Sequence, residues 1–169
     1  MRGSLHRIAL AMLALAGFGC SQPVAPEGFT IDVRFISIDL DVVDEVRLRF
    51  NPPDGERFEA RDPMTFEDGA ISVEVDADGT LRMSITGDYV RAHAVPAPDG
   101  SQRIMPLQIW SDDPTMNAAP LVFGTAWRSG EAIGEGTVFL PRWPPPLGER
   151  TGLPIQCRAD AAAMGLCTP

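Results

Sequence analysis

The chain has 169 residues, of which 44% are hydrophobic, and it carries a formal net charge of −9. A chain of this size typically buries about 70% of its unfolded surface, so we expect one domain with a real core. The negative charge argues against nucleic-acid binding, because affinity for the phosphate backbone comes from basic residues. All 14 basic residues are arginine, which excludes lysine-dependent chemistry such as P-loop nucleotide binding and Schiff-base catalysis.

The first 19 residues have the pattern of a secretory signal peptide. Arg2 and Arg7 form a basic head, and residues 8–18 form an apolar run. This run is too short to cross a hydrocarbon core, which needs about 20 residues. A basic head, a short apolar run and a small-residue boundary together predict export. The alternative, a buried core helix, does not explain why the run lacks a polar face.

The end of this segment resembles the type II signal peptide of bacterial lipoproteins. In that family a small residue precedes a cysteine, which becomes the lipid-bearing N-terminus of the mature protein. Gly19 and Cys20 match the last two positions of this lipobox, whereas Gly17 and Phe18 depart from the residues usual upstream. Conventional cleavage after Gly17 or Gly19, which gives a soluble exported protein, is the alternative.

The resemblance implies that residues 1–19 are removed and that Cys20 is acylated, with palmitate among its chains. It implies a location in the cell envelope, where the membrane is the partner of the anchor. Ser21, rather than aspartate, follows the cysteine, as in lipoproteins sent to the outer membrane, facing either the periplasm or the surface. Residues 20–28 would then be a short proline-containing tether.

The cysteine count agrees with this interpretation. Three cysteines are present, and an odd number in an exported protein calls for an explanation of one of them. If Cys20 carries lipid, Cys157 and Cys167 remain to form a disulfide in an oxidising compartment. We expect the disulfide to staple a helical turn over residues 159–164, which Gly165 ends. A metal site lacks partners, since no C-x-x-C occurs and His93 is the only histidine after the signal peptide.

Between residues 29 and 140 the chain alternates apolar and polar residues with a period of two, which predicts short strands. A phase slip near residues 35–36 predicts a bulge or turn. The predicted strands cover residues 31–35, 36–40, 46–50, 71–75, 81–85, 104–110, 121–127 and 136–140. One face of each strand is apolar and the other polar, as in antiparallel rather than parallel sheets.

Turn signals separate these strands. Asp-Gly occurs at 54–55, 68–69, 78–79 and 99–100, and Ser-Gly occurs at 129–130. Glycine accepts the positive φ that hairpin turns require, so these pairs predict hairpins. With no helical stretch of length, the pattern favours an all-β fold, an antiparallel β-sandwich with an immunoglobulin-like layout. A small open barrel is the alternative.

The C-terminal segment, residues 141–169, is expected to lie outside the sandwich. It begins Pro-Arg-Trp-Pro-Pro-Pro at residues 141–146, which is incompatible with a helix or a central strand. We therefore predict a proline-rich strap over the sandwich, closed at its end by the disulfide. Binding of this strap in the aromatic groove of a partner is the alternative.

An acidic turn and a lone histidine are weak candidates for chemistry. Asp76 and Asp78 resemble the start of a calcium loop, but Gly87 stands where a closing glutamate is needed. A solvated hairpin turn explains both aspartates better, so no metal is predicted. His93 is the only imidazole available to a hydrolase, and no G-x-S-x-G motif accompanies it. We therefore favour an ordinary strand or loop position for His93.

Tryptophans are the third candidate, as a stacking platform for sugar rings. Trp110 and Trp127 lie in predicted strands, where core packing is the commoner role of a large ring. Trp143, in the proline-rich segment, is expected to be partly exposed. Trp127 and Trp143 are therefore the weak ligand-binding candidates.

Together these patterns favour a non-enzymatic binding, adhesion or assembly module, anchored by lipid in the envelope, without a cofactor or a nucleic-acid partner. An envelope protein or a glycan is the expected partner. The alternatives are a small exported hydrolase that uses His93, and a calcium-stabilised or sugar-binding β domain.

Replacing Cys20 by serine tests the anchor. We expect the wild-type chain to incorporate fatty acid and to fractionate with membranes, and Cys20→Ser to do neither, because the acyl chains are attached to the cysteine sulfur and the new N-terminus. Metabolic labelling and membrane fractionation measure both properties. A wild-type chain that never labels would contradict the prediction.

Overall fold

The computed structural model describes residues 29–58, 69–109, 119–142 and 148–167. The signal peptide, Cys20 and the tether lie outside the described residues. So do Trp110 and Trp143, the latter with the adjoining residues 144–147 of the predicted proline-rich strap.

The described residues form nine strands, two short α-helices and one turn of 3-10 helix. The strands are β1 (Phe29–Ile36), β2 (Glu45–Asn51), β3 (Ile71–Val75), β4 (Leu81–Thr86), β5 (Val95–Pro96), β6 (Gln102–Ile109), β7 (Leu121–Arg128), β8 (Glu131–Phe139) and β9 (Arg150–Cys157). The helices are α1 (Gly87–His93) and α2 (Ala159–Ala163), and the 3-10 turn is Leu40–Val42.

Hairpin turns fall at three of the five glycine pairs that predict them. The pairs at 54–55 and 68–69 lie between β2 and β3, which are not neighbours in the sheet, so the hairpins predicted there are wrong. Gly79 joins β3 to β4, Gly100 joins β5 to β6, and Ser129 and Gly130 join β7 to β8. All four residues have positive φ, from 48° at Ser129 to 83° at Gly79 and Gly130. Two successive left-handed residues are typical of the two-residue hairpin whose twist matches that of its strands.

The predicted phase slip is present, one residue later than the alternation indicates. Ser37 has φ +54°, which turns the chain out of β1. Ile38 and Leu40 then lie buried although β1 has ended. The predicted strand over residues 36–40 is wrong, because Ile38 forms only an isolated bridge to Cys167 and Leu40 begins the 3-10 turn.

All nine strands join one sheet in the order β3-β4-β2-β7-β8-β9-β1-β6-β5. The prediction of a mostly β domain is confirmed, whereas two separate sheets with an immunoglobulin-like layout are not. The expectation of purely antiparallel pairing is wrong at one place, since β1 and β9 are parallel. The alternation of apolar and polar residues shows which side of a strand faces the core. It does not show whether the neighbouring strand runs parallel or antiparallel.

Strand β9 lies inside the segment for which we expected a strap. It is an internal strand, paired with β1 along residues 150–156. Pro154 has no amide hydrogen to donate to a neighbouring strand. On the other side of β9, however, β8 pairs only at Gly134–Cys157 and Glu135–Gln156. The β8–β9 ladder therefore ends before Pro154.

Three glycines let the sheet bend sharply where β7, β8 and β9 meet. A Cβ on Gly136 would stand 1.5 Å from the carbonyl oxygen of Pro154, and one on Gly134 would stand 2.4 Å from Ile38 Cδ1. Gly124, which pairs with Gly136 across the β7–β8 hairpin, would meet Ile155 at 2.9 Å. Only glycine permits backbones to approach this closely.

The bend gives the sheet a single core. The inward side chains of both halves belong to one cluster of buried apolar residues, among them Ile31, Val33 and Phe35 of β1 and Val46, Leu48 and Phe50 of β2. Burial of such side chains stabilises the fold by about 1.5–3 kcal/mol each relative to exposure.

Helix α1 is an element that the alternation did not predict. It is seven residues long, too short to show a helical period. Thr86 caps it by accepting a hydrogen bond from the Tyr89 amide, and Val90 is fully buried beneath it. Arg91 Nη1 donates to the carbonyl oxygens of Leu40 (3.2 Å) and Val43 (2.8 Å), which ties α1 to the 3-10 turn.

Cys157 and Cys167 form a disulfide with Cα atoms 6.1 Å apart, the pair that the cysteine count predicts. The helical turn between them is α2, followed by Gly165 with φ +72°. Gly165 donates to the Ala162 carbonyl and Leu166 to the Ala161 carbonyl. This pair of bonds is the Schellman arrangement that ends helices at a left-handed glycine.

Replacing Gly136 by alanine tests the bend. We expect a loss of about 3 kcal/mol in the free energy of unfolding or a failure to fold, because the new methyl group would overlap backbone that has no room to move. Denaturant unfolding followed by circular dichroism measures the loss.

Gly152→Ala is the matched control. The nearest atoms to a Cβ there belong to the flexible guanidinium of Arg34, at 3.0 Å, so the change in unfolding free energy should stay within about 0.5 kcal/mol. Equal effects of the two substitutions would show that close strand approach at Gly136 is not a constraint.

Candidate ligand-binding face

The outward side of β3, β4, β2 and β7 carries a groove of about 450 Å³. We call it the arginine-aromatic face, after Arg47, Arg49, Arg82, Phe123 and Trp127. The remaining residues that line it are Glu45, Leu48, Glu74, Met83, Ser84 and Thr125, of which Leu48 and Met83 have their side chains buried in the core.

Strand register aligns these side chains in rows across the sheet. In one row, Glu74 of β3 lies opposite Arg82 of β4, Arg82 opposite Arg49 of β2, and Arg49 opposite Phe123 of β7. The period of two in β2 sends Arg49 to the outer side, because its neighbours along the strand point into the core.

The next rows bring a tryptophan to the same face. Ser84, Arg47 and Thr125 lie side by side, and Glu45 lies opposite Trp127. A side chain directly opposite another in an antiparallel pair is within contact distance. The groove is therefore lined by a patterned set of charges, hydroxyls and rings from four neighbouring strands.

Trp127 lies on the outer side of β7 and is half-buried. The guanidinium carbon of Arg47 lies 4.3 Å from the centre of its ring, a cation–π distance. The indole Nε1 donates to Thr125 Oγ1 at 2.7 Å. Trp127 therefore does not pack in the core, which is the role we expected to be the commoner one for this residue.

Arg47 is also held by Glu45. Its Nε and Nη2 lie 2.9 and 2.7 Å from the same carboxylate oxygen. The hydrogen bond from Arg47 holds the pKa of Glu45 below its ordinary value, and the Glu45 carboxylate raises the pKa of Arg47. Both groups are therefore charged at neutral pH, and Arg47 is fixed in place above Trp127.

Arg49 differs from Arg47 in its partners. Its guanidinium carbon lies 4.9 Å from the centre of the Phe123 ring, but no carboxylate among the described residues forms an ion pair with it. Its neighbour Arg82 binds Asp76 through Nε at 2.5 Å. Arg49 thus presents an oriented guanidinium, whose planar fork of donors matches an oxyanion.

The aspartates of the weak calcium candidate are occupied by the β3–β4 turn. Asp76 accepts from Arg82, and Asp78 accepts from the Thr80 amide at 3.1 Å. The Thr80 amide holds the pKa of Asp78 below its ordinary value. In the described part of the chain no three His, Cys, Asp or Glu residues converge as metal ligands would.

His93 lies at the end of α1, not in a strand or loop. It is exposed, its Nδ1 lies 2.8 Å from the Tyr89 carbonyl oxygen, and its ring stacks on Tyr89 at 3.8 Å between centres. No serine or carboxylate hydrogen-bonds to it among the described residues, so the structure gives it no nucleophile to activate.

Sequence analysis missed Arg47, Arg49, Arg82 and Phe123 as site residues. The alternation placed the arginines on the solvent face of their strands, where charged residues are ordinary. Only the register between strands, which brings Arg49 opposite both Arg82 and Phe123, distinguishes them from solvating charges.

No family model matches this chain, and no curated protein matches it. Across residues 29–58, 69–109, 119–142 and 148–167, neither helix has the length and apolar character needed to cross a membrane.

Proposed function

We propose that this chain is an exported, lipid-anchored, non-enzymatic binding module that holds an envelope glycan on its arginine-aromatic face. The anchor rests on Cys20 and the lipobox, and the expected location is the outer membrane. The proposal also retains a sandwich-like layering, in which the two halves of the curled sheet face each other across one core. The single core cluster supports that layering.

The groove on the arginine-aromatic face is the observation that carries the binding role. Its volume of about 450 Å³ lies within the range of about 300–1,000 Å³ typical of small-ligand sites. Its lining combines two half-buried aromatic rings with polar groups from four strands. Such a combination supplies apolar contact area together with oriented hydrogen-bonding groups.

A glycan fits this lining better than a purely apolar ligand. Sugar rings have weakly polar C–H faces that pack on aromatic rings, and hydroxyl groups at their rims. Ser84 and Thr125 offer hydroxyls, and Glu45 and Glu74 offer carboxylate acceptors at the groove. Trp127 supplies the largest ring surface, next to the fixed guanidinium of Arg47.

Titration of the full-length chain, purified in a non-ionic detergent, with a panel of neutral and acidic oligosaccharides tests the proposal. We expect saturable binding of at least one oligosaccharide. Trp127→Ala should weaken that binding about tenfold or more, because buried aromatic contacts dominate binding energies.

Phe139→Ala is the matched control, since Phe139 is an exposed aromatic residue of the same sheet that does not line the groove. It should leave the affinity unchanged. Either the absence of binding across the whole panel or equal affinities of wild type and Trp127→Ala would overturn the glycan-binding role.

A further inference from the structure

We propose that Arg49 and Arg82 form a subsite for a carboxylate group, so that the glycan bound on the arginine-aromatic face is one that contains uronic acid. This inference rests on the proposed function and adds the chemical class of the ligand. Its centre is the point where the two arginines lie directly opposite each other on β2 and β4.

Arg49 is already oriented for binding. It packs against Phe123, at 4.9 Å from the ring centre, which limits the freedom of its side chain. Its guanidinium is exposed, and within the described ranges it has no carboxylate partner to displace. A fixed group loses little side-chain entropy when a ligand binds, so most of the interaction contributes to affinity.

Contrast with other arginines of the chain supports this role. Arg47, Arg82, Arg91, Arg150 and Arg158 each form an ion pair with a carboxylate of the protein. Such pairs balance the positive charge and engage donors of the guanidinium group. Among the described residues Arg49 forms no ion pair. Arg34 and Arg128 also form none there, but they do not line the groove.

The second arginine makes the position favourable for an anion. Arg82 lies directly opposite Arg49 in the strand register, and Asp76 already balances part of its charge. Asp76 binds only Nε of Arg82, which leaves the terminal nitrogens of Arg82 as donors. A ligand carboxylate bound by Arg49 would accept further hydrogen bonds from these nitrogens.

The acidic residues of the groove indicate which kind of anion fits. Glu45 and Glu74 line the same groove, and the whole chain has a net charge of −9. These charges repel ligands with dense negative charge, such as nucleic acids or acidic peptides. They accept hydrogen bonds from hydroxyl groups, however. A sugar acid, with one carboxylate and several hydroxyls per ring, matches this mixture.

The test compares two probes with the same sugar backbone, trigalacturonic acid, which is charged, and its uncharged methyl ester, on the full-length chain in a non-ionic detergent. We expect the acid to bind about tenfold more tightly than the ester, because the ester cannot form charge-assisted hydrogen bonds. Added salt should weaken binding of the acid and leave that of the ester unchanged.

Variants then assign the preference to the subsite. Arg49→Gln should reduce the preference for the acid to about twofold or less, and Arg49→Lys should give an intermediate value, since lysine keeps the charge but not the planar fork. Arg34→Gln, on the outer side of β1, should keep the wild-type preference. Circular dichroism and thermal unfolding establish that each variant is folded.

The outcomes separate this inference from the proposed function. Equal binding of acid and ester, unaffected by Arg49→Gln, would overturn the carboxylate subsite and leave the glycan-binding role standing. Binding of neither probe, nor of any oligosaccharide of the earlier panel, would overturn both. Binding of an oligoglutamate peptide in preference to the sugar acid, with the same dependence on Arg49, would overturn the assignment to a glycan.

Discussion

The close approach of β8 and β9 at Gly134 and Gly136 is the constraint on which the rest of the structure depends. A side chain at Gly136 would overlap the Pro154 carbonyl, so the two strands can meet only while this position lacks a Cβ. Because they meet, β9 reaches β1 and pairs with it in parallel. The buried residues of the sheet then form one core, to which the 3-10 turn and both helices also contribute through Leu40, Val90 and Ala161.

The order of the side chains on the arginine-aromatic face also follows from how the strands pair. Strand β2 is paired on both sides, with β4 and with β7, and its inward residues are locked in the core. Its outward residues, Arg47 and Arg49, therefore stand between neighbours that the register determines. Glu45 neutralises Arg47 above Trp127, whereas Arg49 packs on Phe123 opposite another arginine. Arg47 and Arg49 are thus only two residues apart on β2, but Arg47 forms an ion pair within the protein and Arg49 forms none with the described residues.

Much of the fold could be predicted from the residues alone, because alternation and turn glycines report strands and hairpins locally. The β3–β4 hairpin and the helical turn before Gly165 were predicted on that basis. Strand β9 could not be, since Pro154 argues against a central strand unless one knows that the paired ladder between β8 and β9 ends before it. Among the residues of the arginine-aromatic face, only Trp127 was a ligand-binding candidate from the sequence alone. Arg49 requires the register between three strands, which depends on contacts distant in sequence.

Amide hydrogen exchange of the folded chain tests the single shared core most directly. Val33 in β1 and Leu48 in β2 lie in opposite halves of the sheet, each in a strand paired on both sides. If one core holds both halves, their amides exchange only through global unfolding, with equal free energies of opening. Free energies that differ by more than about 1 kcal/mol would show that the halves open separately, and would contradict the account.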